Sequence, residues 1–95
     1  MAAKIIIADD HSMVREGLKQ LLELDGDVEV IAEANNGIEC IDLLERLSPQ
    51  VLLLDINMPK MNGLEVLEKV KEKNIDVKII ILTVHNEIEY LLKAV

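Results

Sequence analysis

The chain has 95 residues, enough for one domain, and it combines 51% hydrophobic with 29% charged residues. This balance excludes intrinsic disorder, because a disordered chain has too little apolar surface to offset its conformational entropy. Eighteen acidic and ten basic residues give a net charge of −8, and Tyr90 is the only aromatic residue. We therefore expect this segment neither to bind DNA by itself nor to stack on single-stranded nucleic acid.

A single cysteine, Cys40, excludes an internal disulfide, a zinc ribbon and a CxxC motif. It falls on an apolar helical face, so we expect it to be a small core residue. The apolar runs at residues 5–8, 51–54 and 79–82 are too short to cross a bilayer or to form the core of a signal peptide. We expect a cytoplasmic protein without a membrane segment.

Strands and helices alternate along the sequence. Short β-branched or Leu-rich runs begin near Lys4, Val28, Val51 and Lys78, and each is followed by a longer segment of helical periodicity. This alternation predicts βαβ units, a parallel sheet and an α/β fold. The second run, residues 28–33, carries charges inside it and is predicted to be an edge strand.

The first helix is predicted to have Ser12 as its N-cap and to end in the turn of residues 25–27. Gly17 lies inside this helix, where glycine costs about 1 kcal/mol relative to alanine. We expect Gly17 to allow close packing of the helix on the sheet.

Capping-box signals mark the second and third helices. Asn36 is followed by Glu39, and Asn62 is followed by Glu65. A fourth helix is predicted to begin near Asn86 and to run to the last residue.

Chain order and crossover handedness predict the topology. Right-handed connections give the sheet order 2-1-3-4, with helix 1 on one face and helices 2, 3 and 4 on the other. The direction of winding reverses between strands 1 and 3. Open α/β sheets bind ligands at the carboxyl ends of the strands at such a point, so we expect the site there.

Acidic residues follow the strands at this point. Asp9 and Asp10 come after strand 1 and Asp55 ends strand 3, so three carboxylates converge and would repel one another unless a divalent cation such as Mg²⁺ joined them. A carbonyl just after Asp55 can add a ligand, and Asn57 is well placed. Thr83 ends strand 4 with a hydroxyl beside the crevice. One such aspartate alone is more often a turn former or a cap, but the convergence of three favours a functional site.

These residues also match a family pattern. They are the pair Asp9-Asp10, Asp55, the MPKMNG loop of residues 58–63, and Thr83. At these spacings they closely resemble the receiver domain of bacterial two-component response regulators, over the whole chain. The segments DDHSMVR (9–15) and LTVHNE (82–87) resemble the NarL/FixJ subgroup, whose members carry a C-terminal helix-turn-helix domain. The resemblance implies a flavodoxin-like (CheY-like) doubly wound sheet and a phosphorylatable switch rather than a turnover enzyme.

The resemblance also implies roles for single residues. Asp55 would accept a phosphoryl group from a histidine kinase or a small phosphodonor, with Mg²⁺ held by Asp10, Asp55 and the carbonyl of Asn57. Asp9 would act through a bound water, and Thr83 would be the hydroxyl that moves to meet the phosphoryl group. In the intact parent this switch would regulate transcription through the DNA-binding domain.

Two departures from the family pattern are visible. Asn62 stands where many members have Asp, a change that keeps the capping role. The family's fifth strand, which ends in a lysine that pairs with the phosphoryl group, has no counterpart, and neither has the fifth helix; Lys93 lies in the fourth helical segment and does not match. Residues 1–95 thus resemble a receiver domain truncated before its fifth strand.

Two alternatives stay open at this stage. The truncation would be compatible with a non-reactive folding or interaction module. A Mg²⁺-dependent phosphohydrolase with an Asp nucleophile is the second alternative, although such enzymes need an acid at the position of Asn57.

The same departure predicts self-association. Without the fifth helix, half of one sheet face is bare, and strand 4 is an apolar edge guarded by Lys78. We expect a homodimer in which strand 4 or helix 4 covers this surface, either by packing or by exchange of segments between the chains.

Overall fold

A computed structural model of the chain describes residues 2–56, 58 and 60–82. Strands and helices alternate through these residues, as predicted. The elements are β1 (Ala3–Ala8), α1 (Ser12–Glu23), β2 (Val28–Ala34), α2 (Gly37–Leu47), β3 (Val51–Asp55), α3 (Gly63–Glu72) and β4 (Lys78–Leu82). No helix within these residues is long and apolar enough to cross a membrane. The helix predicted near Asn86 lies outside the described residues.

The four strands form one parallel sheet in the order β2-β1-β3-β4. This confirms both the predicted order and the edge position of β2. Strand β1 pairs with β3 from Ile5 opposite Val51 to Ala8 opposite Leu54, so these two strands end side by side. The residues that follow β1 and end β3 are therefore neighbours in space.

The alternation of side chains along the strands divides the core between two faces. One cluster joins the sheet to α2 and α3; its fully buried members include Ile6, Leu44, Leu52 and Val66. The second cluster is centred on Ile5, Ile7, Val30 and Leu53, and α1 contributes to it through Leu18 and Leu22. Among the described helices, α1 is thus alone on its face. It has no fully buried residue.

The start of α1 differs from the prediction. Ser12 is the first helical residue and His11 is the N-cap, with extended backbone at φ −104° and ψ 107°. The carboxylate of Asp9 accepts the backbone N–H of His11 at 2.8 Å, and this bond holds the chain extended up to His11. The helix therefore begins one residue earlier than the Ser12 signal indicates.

The caps of α2 and α3 lie where the sequence predicts them. Asn62 and Glu65 form a complete capping box, in which each side chain accepts the other residue's backbone N–H. Asn36 accepts the backbone N–H of Glu39 at 2.9 Å. The Glu39 carboxylate, however, accepts the N–H of Asn35, one residue before the cap. These bonds fix the two helix starts that border the carboxyl edge of the sheet.

The expectation for Gly17 is wrong. Gly17 is exposed, and a Cβ added there would meet no atom within 4 Å. The helix is rotated so that Leu18 and Leu22 face the sheet and Gly17 faces solvent. Glycine at this position brings no packing benefit.

The variant Gly17→Ala is therefore expected to stabilise the fold by about 0.5–1 kcal/mol, since alanine restricts the unfolded chain and favours the helix. Gly26 is the matched control: its added Cβ would also meet no atom within 4 Å, but its φ is +77°. Gly26→Ala should destabilise the fold for that reason. Urea unfolding of the two variants measures both effects, and a destabilised Gly17→Ala would contradict this assignment.

Cys40 is a core residue, as predicted. It is fully buried among the side chains of the α2 and α3 face. Burial raises the pKa of its thiol from the ordinary 9.0 to about 12, because the thiolate would lose its hydration. The unfolded chain therefore loses this proton at lower pH than the folded chain.

The stability that depends on Cys40 is complete below pH 9 and is lost as the pH rises towards 12. Over that range the free energy of unfolding should fall by about 1.4 kcal/mol per pH unit through this thiol. The variant Cys40→Ala has no thiol, so its free energy of unfolding should not fall in this way with pH. At neutral pH it should be less stable than the wild type. Unfolding curves of both proteins at a series of alkaline pH values test this effect of the thiol. If the free energies of unfolding of the two proteins change in parallel with pH, the effect is excluded.

Candidate functional site

Three predicted acidic residues meet at the carboxyl edge of the sheet. Asp9 follows β1, Asp55 ends β3, and both are fully buried. Donor atoms of Asp9, Asp10, Asp55 and His11 all lie within 4.8 Å of one another. The structure therefore brings together the three carboxylates that the sequence predicts, and it adds an imidazole. We call these four residues the acid pocket.

One oxygen of the acid pocket has no hydrogen-bond partner among the described residues. It is Oδ2 of Asp9, which is buried. The other oxygen, Oδ1, accepts the backbone N–H of His11 at 2.8 Å and lies 3.1 Å from His11 Nδ1. A buried carboxylate oxygen without a partner is costly, and a hard cation satisfies it. The donor set of the pocket thus fits Mg²⁺, which prefers carboxylate oxygens, carbonyls and water.

Backbone contacts hold Asp9 and Asp55 in place. The N–H of Asp9 donates to the carbonyl of Ala34 at 3.1 Å, which ties Asp9 to the end of β2. On the other side, the N–H of Gly63 donates to the carbonyl of Ile56 at 2.9 Å. A Cβ at Gly63 would lie 2.7 Å from Ile56 Cα and 2.8 Å from the carbonyl oxygen of Asp55. Glycine at the start of α3 therefore lets this helix approach the end of β3 closely.

Arg15 links α1 to the end of β1. Its Nη1 donates to the carbonyl of Asp9 at 2.5 Å, and its Nε donates to the carboxylate of Glu33 at 2.9 Å. The Arg15 side chain is only 13% exposed. Arg15 thus connects α1 both to Asp9, which follows β1, and to Glu33 in β2. These contacts fix the backbone of Asp9 in the acid pocket.

The remaining site predictions fall on residues whose structure is not described. Asn57 and Thr83 are outside the described residues, so their placement stays a prediction. His11 and Arg15 are not among the residues that the sequence predicts for the site. Both lie in the segment 9–15 that carries the family resemblance, and this was the available signal.

A cavity of about 700 Å³ lies at the opposite end of the sheet, beside the last turns of α2 and α3. Its walls include Glu45 and Lys73, which pair at 3.3 Å. The converging carboxylates lie in the acid pocket and not beside this cavity, so the volume of a cavity does not locate the site here.

Comparison with known proteins agrees with the fold. The family model of the response regulator receiver domain matches residues 5–95. This chain belongs to that family. The nitrate/nitrite response regulator protein NarL of Escherichia coli strain K12 is 46% identical over 92 residues, which are 97% of this chain and 43% of NarL. The chain therefore spans less than half the length of this relative.

Solved structures give the same result. A DNA-binding response regulator of the LuxR family from Staphylococcus aureus has a TM-score of 0.82 and 41% identity, covering 97% of this chain and 77% of that one. RcsB from Salmonella enterica serovar Typhimurium, bound to a promoter in the presence of the phosphomimetic BeF₃⁻, has a TM-score of 0.80 and 31% identity. The match covers 90% of this chain and 44% of the RcsB chain. The chain is a NarL-type receiver domain with the CheY-like fold, which confirms the family and fold expectations.

The crowding of the acid pocket predicts the effect of one substitution. Asp9→Asn should stabilise the metal-free chain by about 1–3 kcal/mol, because it removes one carboxylate from a crowded group of three and leaves no buried carboxylate oxygen without a partner at this position. Asp25→Asn, at an exposed turn residue, is the control and should change stability by less than about 0.5 kcal/mol. Urea unfolding in the presence of a metal chelator measures the stability of both variants. Destabilisation by Asp9→Asn would show that its carboxylate is already satisfied.

Proposed function

We propose that this receiver domain, residues 1–95, acts as a phosphoryl-accepting switch, with Asp55 as the acceptor. The observation that carries the proposal is the position of Asp55, buried at the end of β3 with donor atoms of two further aspartates within 4.8 Å. Carboxylates clustered in this way gain from a bound cation. The match to NarL and to LuxR-family regulators supports the same function.

The proposed reaction transfers a phosphoryl group from the phosphohistidine of a histidine kinase. A carboxylate oxygen of Asp55 attacks phosphorus, an O–P bond forms, and the P–N bond to the imidazole breaks. The electron pair of that bond stays on the imidazole nitrogen, which then binds a proton from solvent. In such transfers, positioning and charge neutralisation provide most of the rate enhancement.

The residues of the acid pocket would also hold Mg²⁺. Asp10 and Asp55 would be direct ligands together with the carbonyl of Asn57, and Asp9 would act through a water. When bound, Mg²⁺ supplies neutralising charge at the carboxylates and at the phosphoryl oxygens. The unpartnered Oδ2 of Asp9 supports a cation at this place. Arg15 and Gly63 keep the backbones of Asp9 and Asp55 fixed while charge develops.

Phosphorylation would act as a two-state switch. Thr83 would contact the phosphoryl group in one state only, and this difference in contacts would shift the equilibrium between the states. The relatives named above include a DNA-binding regulator and a promoter complex. We propose that the parent of this chain likewise controls transcription, in the cytoplasm, through a separate DNA-binding region.

The acceptor assignment predicts a stoichiometric product. In the full-length parent, acetyl phosphate with Mg²⁺ should add one phosphoryl group at Asp55, and Asp55→Asn should abolish the addition. Asp76→Asn, an exposed acid before β4, is the control and should label as the wild type does. Intact-mass measurement and phosphate release distinguish the possibilities: retained label supports the switch, continuous turnover supports a phosphohydrolase, and no label supports a non-reactive module.

The exposed residues of β4 support self-association of this chain. Ile80 is 48% exposed and Ile81 is 39% exposed, and they lie on opposite faces of the strand. Within the described residues, β4 has no strand on its outer side. A second copy of the chain would cover these apolar surfaces, so we propose a homodimer.

Light scattering after size exclusion tests the dimer. At high micromolar concentration the chain should have twice the monomer mass, and Ile80→Lys should return it to the monomer mass. Ile38→Lys is the control, because Ile38 is 55% exposed on α2, away from β4. A wild-type monomer that melts cooperatively would contradict the proposal.

A further inference from the structure

His11 contacts the acid pocket through a ring nitrogen. Its Nδ1 lies 2.8 Å from Asp10 Oδ1 and 3.1 Å from Asp9 Oδ1. The backbone of His11 is fixed, because its N–H donates to the Asp9 carboxylate and its carbonyl accepts the N–H of Arg15 at 3.0 Å. The ring therefore projects from an anchored backbone position, although the side chain is 46% exposed.

The distances between donor atoms match those of a coordination sphere. An octahedral ion with bonds of about 2.1 Å places neighbouring ligand atoms about 3.0 Å apart and opposite ones about 4.2 Å apart. The two separations from His11 Nδ1, 2.8 and 3.1 Å, equal that of neighbouring ligands. All four donor atoms lie within 4.8 Å of one another, which is slightly more than the separation of opposite ligands. A small contraction would let Asp10, Asp55 and His11 bind one ion, with Asp9 beside it through a water.

A second observation, which does not depend on the number of acids, points to an ion at this place. Oδ2 of Asp9 is buried and has no hydrogen-bond partner among the described residues, while Oδ1 of the same carboxylate is occupied by His11. The pocket thus contains one oxygen that hydrogen bonds do not satisfy. A cation in the acid pocket would satisfy it through a bound water.

We propose that His11 is a metal ligand through Nδ1 and that it extends the acid pocket from Mg²⁺ to nitrogen-preferring transition ions such as Ni²⁺ and Co²⁺. This inference rests on the proposed function, because it concerns the same pocket. Carboxylates and water suit Mg²⁺, whereas an imidazole suits the later first-row ions. Mg²⁺ gains little from a nitrogen ligand, so His11 determines the selectivity of the pocket and not its ability to bind Mg²⁺.

The alternative role for His11 is that of a hydrogen-bond donor to Asp9 and Asp10, which an ion would displace. The two roles predict opposite effects of removing the ring. A ligand strengthens the binding of Ni²⁺, so its removal weakens that binding. A displaced donor competes with every cation, so its removal strengthens the binding of Ni²⁺ and Mg²⁺ alike.

Calorimetric titration of the metal-free chain with Ni²⁺ and with Mg²⁺, at one fixed pH, separates the two roles. His11→Ala should weaken Ni²⁺ binding by about tenfold or more, as loss of even an outer contact to a metal site often does. Its Mg²⁺ affinity should change far less. The His11 side chain makes no capping hydrogen bond, so α1 should still form. Ser12→Ala, at the neighbouring exposed residue, is the control and should leave both affinities unchanged.

Visible spectra of the Co²⁺ form give a second readout. A nitrogen ligand shifts the d–d bands to shorter wavelength than an all-oxygen set, so wild type and His11→Ala should differ, and Ser12→Ala should match wild type. Equal Ni²⁺ affinities in wild type and His11→Ala, or stronger binding in the variant, would overturn the ligand role. If wild type instead binds no Mg²⁺ at all, the metal site of the proposed function fails, which is a different result.

Discussion

Three carboxylates lie close together at the carboxyl edge of the sheet, and the contacts around them must offset their mutual repulsion. Asp9 and Asp55 are fully buried, and the parallel pairing of β1 with β3 brings them together whatever their charges. The surrounding contacts oppose this repulsion. Arg15 binds the carbonyl of Asp9, and Gly63 lets α3 approach the end of β3. The fold therefore holds three carboxylates close together, and we propose that a cation joins them.

This cluster of carboxylates connects the fold to the proposed chemistry. A carboxylate that is buried, oriented and surrounded by other acids becomes a good acceptor once positive charge is nearby, because the charge that develops during transfer is then neutralised. The rigid parts of the sheet supply the orientation. In the proposed switch, the acid pocket would supply the place for the cation, and the proposed phosphoryl transfer follows the receiver family to which the chain belongs.

Much of the fold could be predicted from the sequence, because the apolar runs mark buried parallel strands and handedness limits their order. The meeting of Asp9, Asp10 and Asp55 followed from that topology. Other features depend on contacts that local patterns do not contain. The exposure of Gly17 reflects how α1 is rotated on the sheet, and the helix begins at Ser12 because a carboxylate binds the backbone of the preceding residue. The contact of His11 with the acid pocket depends on the same bond, and only the family resemblance of residues 9–15 signalled it.

The proposed switch requires that the acid pocket of this chain binds a divalent cation. Paramagnetic broadening of backbone amide signals by Mn²⁺ in solution NMR tests it most directly, since broadening falls off steeply with distance from the ion. We expect substoichiometric Mn²⁺ to broaden the signals of residues 8–11 and 55–56 first, and an excess of Mg²⁺ to restore them. Broadening centred on the exposed acids Glu33, Glu39 and Asp42, with the acid pocket unaffected, would contradict the claim.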